Sequence, residues 1–131
     1  MFVDASAIVS ILLQEADHEA LADRFDRSNG VFVSALVLWE VMLALTRERR
    51  LTFDAAQEIL DSFMRDNEIE VLDITAPIGQ LAIDAARRFG RGRHPAGLNF
   101  GDCFAYACAR ALRLPLMFKG EDFSRTDIAC A

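Results

Sequence analysis

The stretch Met1-Phe2-Val3-Asp4-Ala5-Ser6-Ala7-Ile8-Val9-Ser10-Ile11-Leu12 decides how the rest of the chain is read. An apolar run ends at an acid, and from Ala5 the apolar positions Ile8, Ile11 and Leu12 recur at helical spacing. A short strand over Met1–Asp4 followed by a helix over Ala5–Gln14 is therefore expected. The same alternation continues downstream. Asp17–Arg27 has the helical period, Ser28-Asn29-Gly30 is a turn signal, and Val31–Ser34 is a compact β-branched and aromatic run. Ala35–Arg50 is apolar nearly all round until its basic end, so a buried helix is expected there. Phe53–Asp66 is an amphipathic helix, Glu70–Leu72 a strand, and Pro77–Phe89 a helix with proline at its start.

Residues 90–97, dense in glycine and proline, form the one long loop, and Asn99 caps a helix running to about Leu112. Pro115–Phe118 is the next strand, and the closing segment holds a turn around Gly120 with a candidate edge strand near Ile128. Strands alternating with helices of this length specify an α/β fold with a mainly parallel central sheet and helices on both faces. Ligands of such sheets sit at the carboxyl ends of the strands.

Composition narrows the function classes. With 131 residues, 53% hydrophobic and 26% charged, one domain over 1–131 is expected. No apolar run approaches the roughly 20 residues of a membrane span. No basic stretch precedes an apolar one at the start, so a secretory leader is not expected and the cytoplasm is the default. Cys103, Cys108 and Cys130 cannot all pair with one another and lack zinc-site spacing, so they are expected as small buried residues. A formal net charge of −6 argues against binding long nucleic acid by general attraction. Contact with such a polymer would have to be local or assisted by a metal.

Four acids stand where this fold brings strand ends together. Asp4 closes the first strand and Glu40 lies in the helix after the second. Asp102 opens the helix after the long loop, and Asp122 follows the last strand. Hard divalent cations take oxygen ligands, and gathered carboxylates repel one another unless a cation sits between them. Each acid also has a local explanation. Asp4 or Ser6 serves as a helix cap, Asp102 as the partner of Asn99 in a capping box, and Asp122 as a turn residue. Glu40 is flanked by Leu36, Val37, Leu38, Trp39, Val41, Met42, Leu43 and Ala44, which leaves it no obvious solvated stripe. Its ordinary alternatives are to face water or to pair with Arg47.

Taken together, these motifs resemble the PIN domains, and among them the VapC-type toxins of bacterial toxin–antitoxin pairs. The resemblance spans the chain, from Phe2-Val3-Asp4-Ala5-Ser6 through Ser34 and Glu40, Leu98-Asn99-Phe100-Gly101-Asp102, and Phe118-Lys119-Gly120-Glu121-Asp122 with Asp127. It implies a Mg²⁺- or Mn²⁺-dependent endoribonuclease that cuts single-stranded RNA, often transfer RNA, to stop translation. Asp4 and Asp102 map to the first-choice metal ligands, and Glu40 and Asp122 complete the cage or position the attacking water. Glu121 and Asp127 compete with Asp122 for the last role, and Ser6 is a supporting candidate. The resemblance also implies a homodimer and a small VapB-like antitoxin, whose arginine would suit an acidic groove.

Arg91, Arg93 and Lys119 are the candidate RNA contacts, each with a bland alternative as a solvated loop or turn residue. Trp39, Phe63, Phe100, Phe104 and Tyr106 fall at helical spacings that favour core or interface packing over base stacking. Two rival readings are a PIN fold serving as a catalytically silent interaction module, and a receiver-like domain phosphorylated at Asp4. The second needs an acidic pair and a lysine at spacings this chain lacks.

Overall fold

The structure, a computed structural model, describes residues Met1–Ala131. In chain order it runs β1 (Phe2–Val3), α1 (Ala5–Leu13), α2 (His18–Asp26), β2 (Phe32–Ser34), α3 (Ala35–Glu48), α4 (Phe53–Asp66), β3 (Glu70–Leu72), α5 (Ala76–Phe89), α6 (Phe100–Leu112) and β4 (Leu116–Met117). A short 3₁₀ turn follows at Phe123–Arg125. All four strands pair in parallel in the order β3-β2-β1-β4. Phe2 lies opposite both Phe32 and Leu116, and Val33 opposite Val71.

The chain steps from β1 outward to β3, then crosses back to lay β4 on the far side of β1. Right-handed crossovers therefore put α1 to α4 on one face and α5 and α6 on the other. The packing agrees, with α1 against α2 and α3, α3 against α4, and α5 against α6. Reversal of direction at β1 opens a crevice at the carboxyl ends of β1 and β4. The core on which this rests includes the fully buried Phe2, Val3, Ile8, Val33, Val41, Leu116 and Met117. Strands of two or three residues suffice because helices cover both faces.

Three expectations need correction. α3 is not buried all round, because Ala35, Trp39 and Leu43 form an exposed stripe and Trp39 is 56% exposed. Spacing of four residues places them on the side away from Val37, Val41 and Leu45, which meet the core. The edge strand near Ile128 reduces to a single parallel bridge between Leu116 and Cys130. Cys130 is exposed at that edge, whereas Cys103 and Cys108 are buried as expected. The loop at 90–97 is a loop, but a tied one: Ala96 is buried, and the His94 ring meets Phe89 edge-on at 5.2 Å. Arg125 donates to the Pro95 carbonyl at 3.2 Å.

Candidate active site

Asp4 is held where β1 becomes α1. Its backbone N–H donates to the Met117 carbonyl at 2.9 Å, which fixes it to the end of β4. Its Oδ2 accepts the Ser6 N–H at 2.9 Å and the Ser6 hydroxyl at 2.5 Å, so it caps α1 as the sequence allowed. At 5% exposure it is nevertheless a buried carboxylate, and burial pushes its pKa up against those hydrogen bonds, with Asp122 adding repulsion.

Asp102 has the same double placement. Asn99 and Asp102 form a reciprocal capping box: the Asn99 N–H donates to Asp102 Oδ2 at 2.7 Å, and the Asp102 N–H to Asn99 Oδ1 at 3.0 Å. Burial raises the Asp102 pKa to about 6; the Asn99 backbone bond and Arg91 oppose that rise, and Asp4 and Asp122 reinforce it. Both acids thus sit at helix N-termini, where the partial positive charge of the backbone favours a carboxylate.

Glu40 reaches the same spot from the middle of α3. Its pKa is pushed up to about 7, first by burial and then by Asp4 and Asp102. Arg47 does not relieve it, being paired with Glu48 at 2.8 Å. Across from it lies Gly101, where an added methyl would run into the Glu40 carboxylate. A side chain at that position would therefore fill the space between Glu40 and the start of α6.

Of the three closing acids, Asp122 is the one whose charge acts on Asp4 and Asp102. It begins the 3₁₀ turn, behind which Phe123 is buried and meets Phe118 with ring centroids 5.0 Å apart. Glu121 is taken up locally by the Ser124 hydroxyl at 3.0 Å. Asp127 faces elsewhere, accepting from Tyr106 at 2.6 Å and Arg88 at 2.8 Å, which together hold it below the usual carboxylate range. Arg91 lies within electrostatic reach of Asp102. The Lys119 ammonium instead pairs with Glu15 at 2.5 Å and Asp17 at 3.3 Å.

The donor set around this spot is entirely oxygen, and burial together with neighbouring carboxylates pushes the pKa of Asp4, Glu40 and Asp102 up, which fits a hard divalent cation. No three His, Cys, Asp or Glu side chains are closed into a ready ligand shell as they stand. Water would have to complete the coordination, as is usual for Mg²⁺. Beside this cluster, between α5 and the start of α6, lies a groove of about 1060 Å³. Ile83, Leu98, Phe100 and Phe104 line it, with Arg87 and Arg91 at its edge. Phe100 is 68% exposed there, so it belongs to no core, and a surface role is open to it.

Gly101 and the groove are the features that sequence reasoning passed over. A glycine in the first turn of a helix, directly before a candidate site acid, is the signal that could have marked Gly101, since glycine there is costly without a close approach.

The PIN-domain family model matches residues 1–129. A VapC ribonuclease of Rhizobium meliloti is 41% identical, covering 97% of this chain and 98% of its own length. Ribonuclease VapC28 of Mycobacterium tuberculosis is 40% identical, over 98% of this chain and 95% of the relative. Among solved structures, Mycobacterium tuberculosis VapC20, a sarcin–ricin loop cleaving toxin, superposes with a TM-score of 0.77 at 21% identity, covering 99% of this chain and 97% of that one. Rickettsia felis VapBC2, bound to a DNA fragment from its promoter, gives 0.73 at 14% identity, over 98% and 94% of the two chains. This chain therefore belongs to the PIN-domain family, alongside its VapC ribonucleases.

Proposed function

We propose that the chain is a divalent-metal-dependent endoribonuclease, the toxin of a toxin–antitoxin pair, which cuts single-stranded RNA and has transfer RNA as its expected target. The reading is supported by acids far apart in sequence that come within electrostatic reach of one another, Asp4 and Asp102 acting on Glu40 and Asp122 on Asp4 and Asp102, with the Glu40 carboxylate packed against Gly101 beside Asp102. Asp4 and Asp102 would hold Mg²⁺ or Mn²⁺, directly or through water. When bound, the cation supplies a lowered water pKa and charge compensation at the scissile phosphate. Glu40 would complete the cage around the cation or position the attacking water. Asp122 would complete the cage or help position that water, Ser6 holds Asp4 by its hydrogen bonds, and Arg91 would meet the RNA backbone.

Relatives captured as toxin–antitoxin complexes support a small antitoxin partner, and an arginine on it could pair with these carboxylates in place of metal. The exposed Trp39–Leu43 stripe, with Ile83 and Phe100 also exposed, supports a homodimer, since isolated domains seldom leave apolar surface of this kind uncovered. Retention of all four acids disfavours the silent interaction module.

The test is a gel assay on pooled transfer RNAs and a sarcin–ricin stem-loop. Wild type with Mg²⁺ is expected to cut at least one of them, and EDTA, Asp4→Asn or Asp102→Asn to abolish cutting. Cleavage that persists in both variants would remove the mechanism.

A further inference from the structure

Lys119 stands three residues before Asp122 and makes connections in two directions. Its backbone N–H donates to the Ser6 hydroxyl at 3.0 Å, and that hydroxyl donates in turn to Asp4 Oδ2 at 2.5 Å. Its side chain runs the other way, to the corner between α1 and α2, where the ammonium meets Glu15 at 2.5 Å and Asp17 at 3.3 Å. The corner is itself anchored, because the Asp17 carboxylate accepts from the hydroxyl of Ser10, which is fully buried in α1. The Glu15 N–H donates to the Ser10 carbonyl at 3.0 Å. Immediately after Lys119, Gly120 takes φ +96°, a conformation that side chains rarely adopt, and the chain turns towards Asp122.

We propose that Lys119, Glu15 and Asp17 form a strap that positions the acids Asp4 and Asp122 relative to one another, rather than an RNA-binding cation with two incidental neighbours. Lys119 is thus a positioning residue, and its ammonium is committed to protein carboxylates. The inference rests on the metal-dependent reading of the site given above. A partly exposed ion pair adds little to folding, so the strap's effect should be felt at the site more than in global stability. Small displacements of reacting groups are costly in rate, which is why an anchor outside the acid cluster matters.

Glu15→Gln separates the alternatives, because the two roles of Lys119 give it opposite consequences. If the strap positions the acids, Lys119→Met and Glu15→Gln should each weaken Mn²⁺ binding, measured calorimetrically, by about threefold to tenfold. The double variant should be no worse than the poorer single one, since residues in one network act together rather than additively. Lys119→Arg should recover part of the affinity, and the melting midpoint of every variant should move by no more than a few degrees. If Lys119 instead contacts phosphate, Glu15→Gln, which leaves the ammonium only Asp17, keeps Mn²⁺ binding unchanged and tightens binding of a single-stranded oligonucleotide, while Lys119→Met weakens it. That result would overturn the strap. Failure of the underlying reading shows separately, as wild-type protein that binds no Mn²⁺ and cuts no RNA.

Discussion

Glu40 and Gly101 illustrate how one missing methyl can set the chemistry of a site. Alanine at 101 would favour the helix by up to about 1 kcal/mol, yet its Cβ would displace the Glu40 carboxylate. Gly101→Ala should therefore leave the melting temperature nearly unchanged while cutting ribonuclease turnover by about tenfold or more, the scale of loss seen when reacting groups are misplaced. A melting curve and a single-turnover assay on the same preparation check both halves. At this scale the sequence was readable where a residue's surroundings are local. Asp4 and Asp102 carry the marks of helix starts, and Glu40 lacked any solvated stripe. Glu121, Asp122 and Asp127 could not be told apart, because the turn at Gly120 and the Tyr106 and Arg88 side chains decide which way each points. Neither is written in a local pattern, and the same holds for the partners of Lys119.

Elements carry the next level of constraint, most plainly at the start of α6, where the capping box both ends the long loop and holds Asp102 in place. Asn99→Ala should cost about 1 kcal/mol of stability. For a chain of this size that lowers the melting midpoint by about 3 to 6 °C, and the loss of cleavage should exceed what the stability change explains. Element boundaries came through to within a few residues because turns, caps and hydrophobic periods are short-range signals. The exposure of Trp39 and Leu43 did not, since an apolar stripe looks the same whether a core or another molecule covers it. If a second copy covers it, Trp39→Glu should leave the fold intact and shift the species seen by light scattering from dimer to monomer. An unchanged dimer would place the contact elsewhere.

Charge is divided unevenly over the whole molecule. Residues 1–86 carry 16 acids and 6 bases, whereas residues 87–131 carry 8 bases and 4 acids, a net −10 against +4. The overall −6 therefore conceals a basic third that includes Arg91 and Arg93, and RNA binding should weaken as salt is raised. Stability should depend on pH with the opposite sign from that of most acids. Glu40 at about 7 and Asp102 at about 6 bind protons more tightly in the folded chain than in the unfolded one. Without metal, the stability these two groups contribute is then fully present below about pH 4 and is lost as pH rises towards 7. A bound divalent cation reverses the penalty by favouring the charged carboxylates. Thermal melts should show a larger Mg²⁺-dependent rise at pH 8 than at pH 5. An equal rise at both would mean that these acids do not face the ion.

Placing β1 between β2 and β4 also orders events during synthesis. The central strand leaves the ribosome first, but its neighbour on one side, Leu116–Met117, and the acid Asp122 emerge more than a hundred residues later. Until then β1 keeps an unpaired edge, and Asp4 has no Met117 carbonyl to hold it. If the four acids form the site proposed for this chain, that site stays incomplete until Asp122 has emerged.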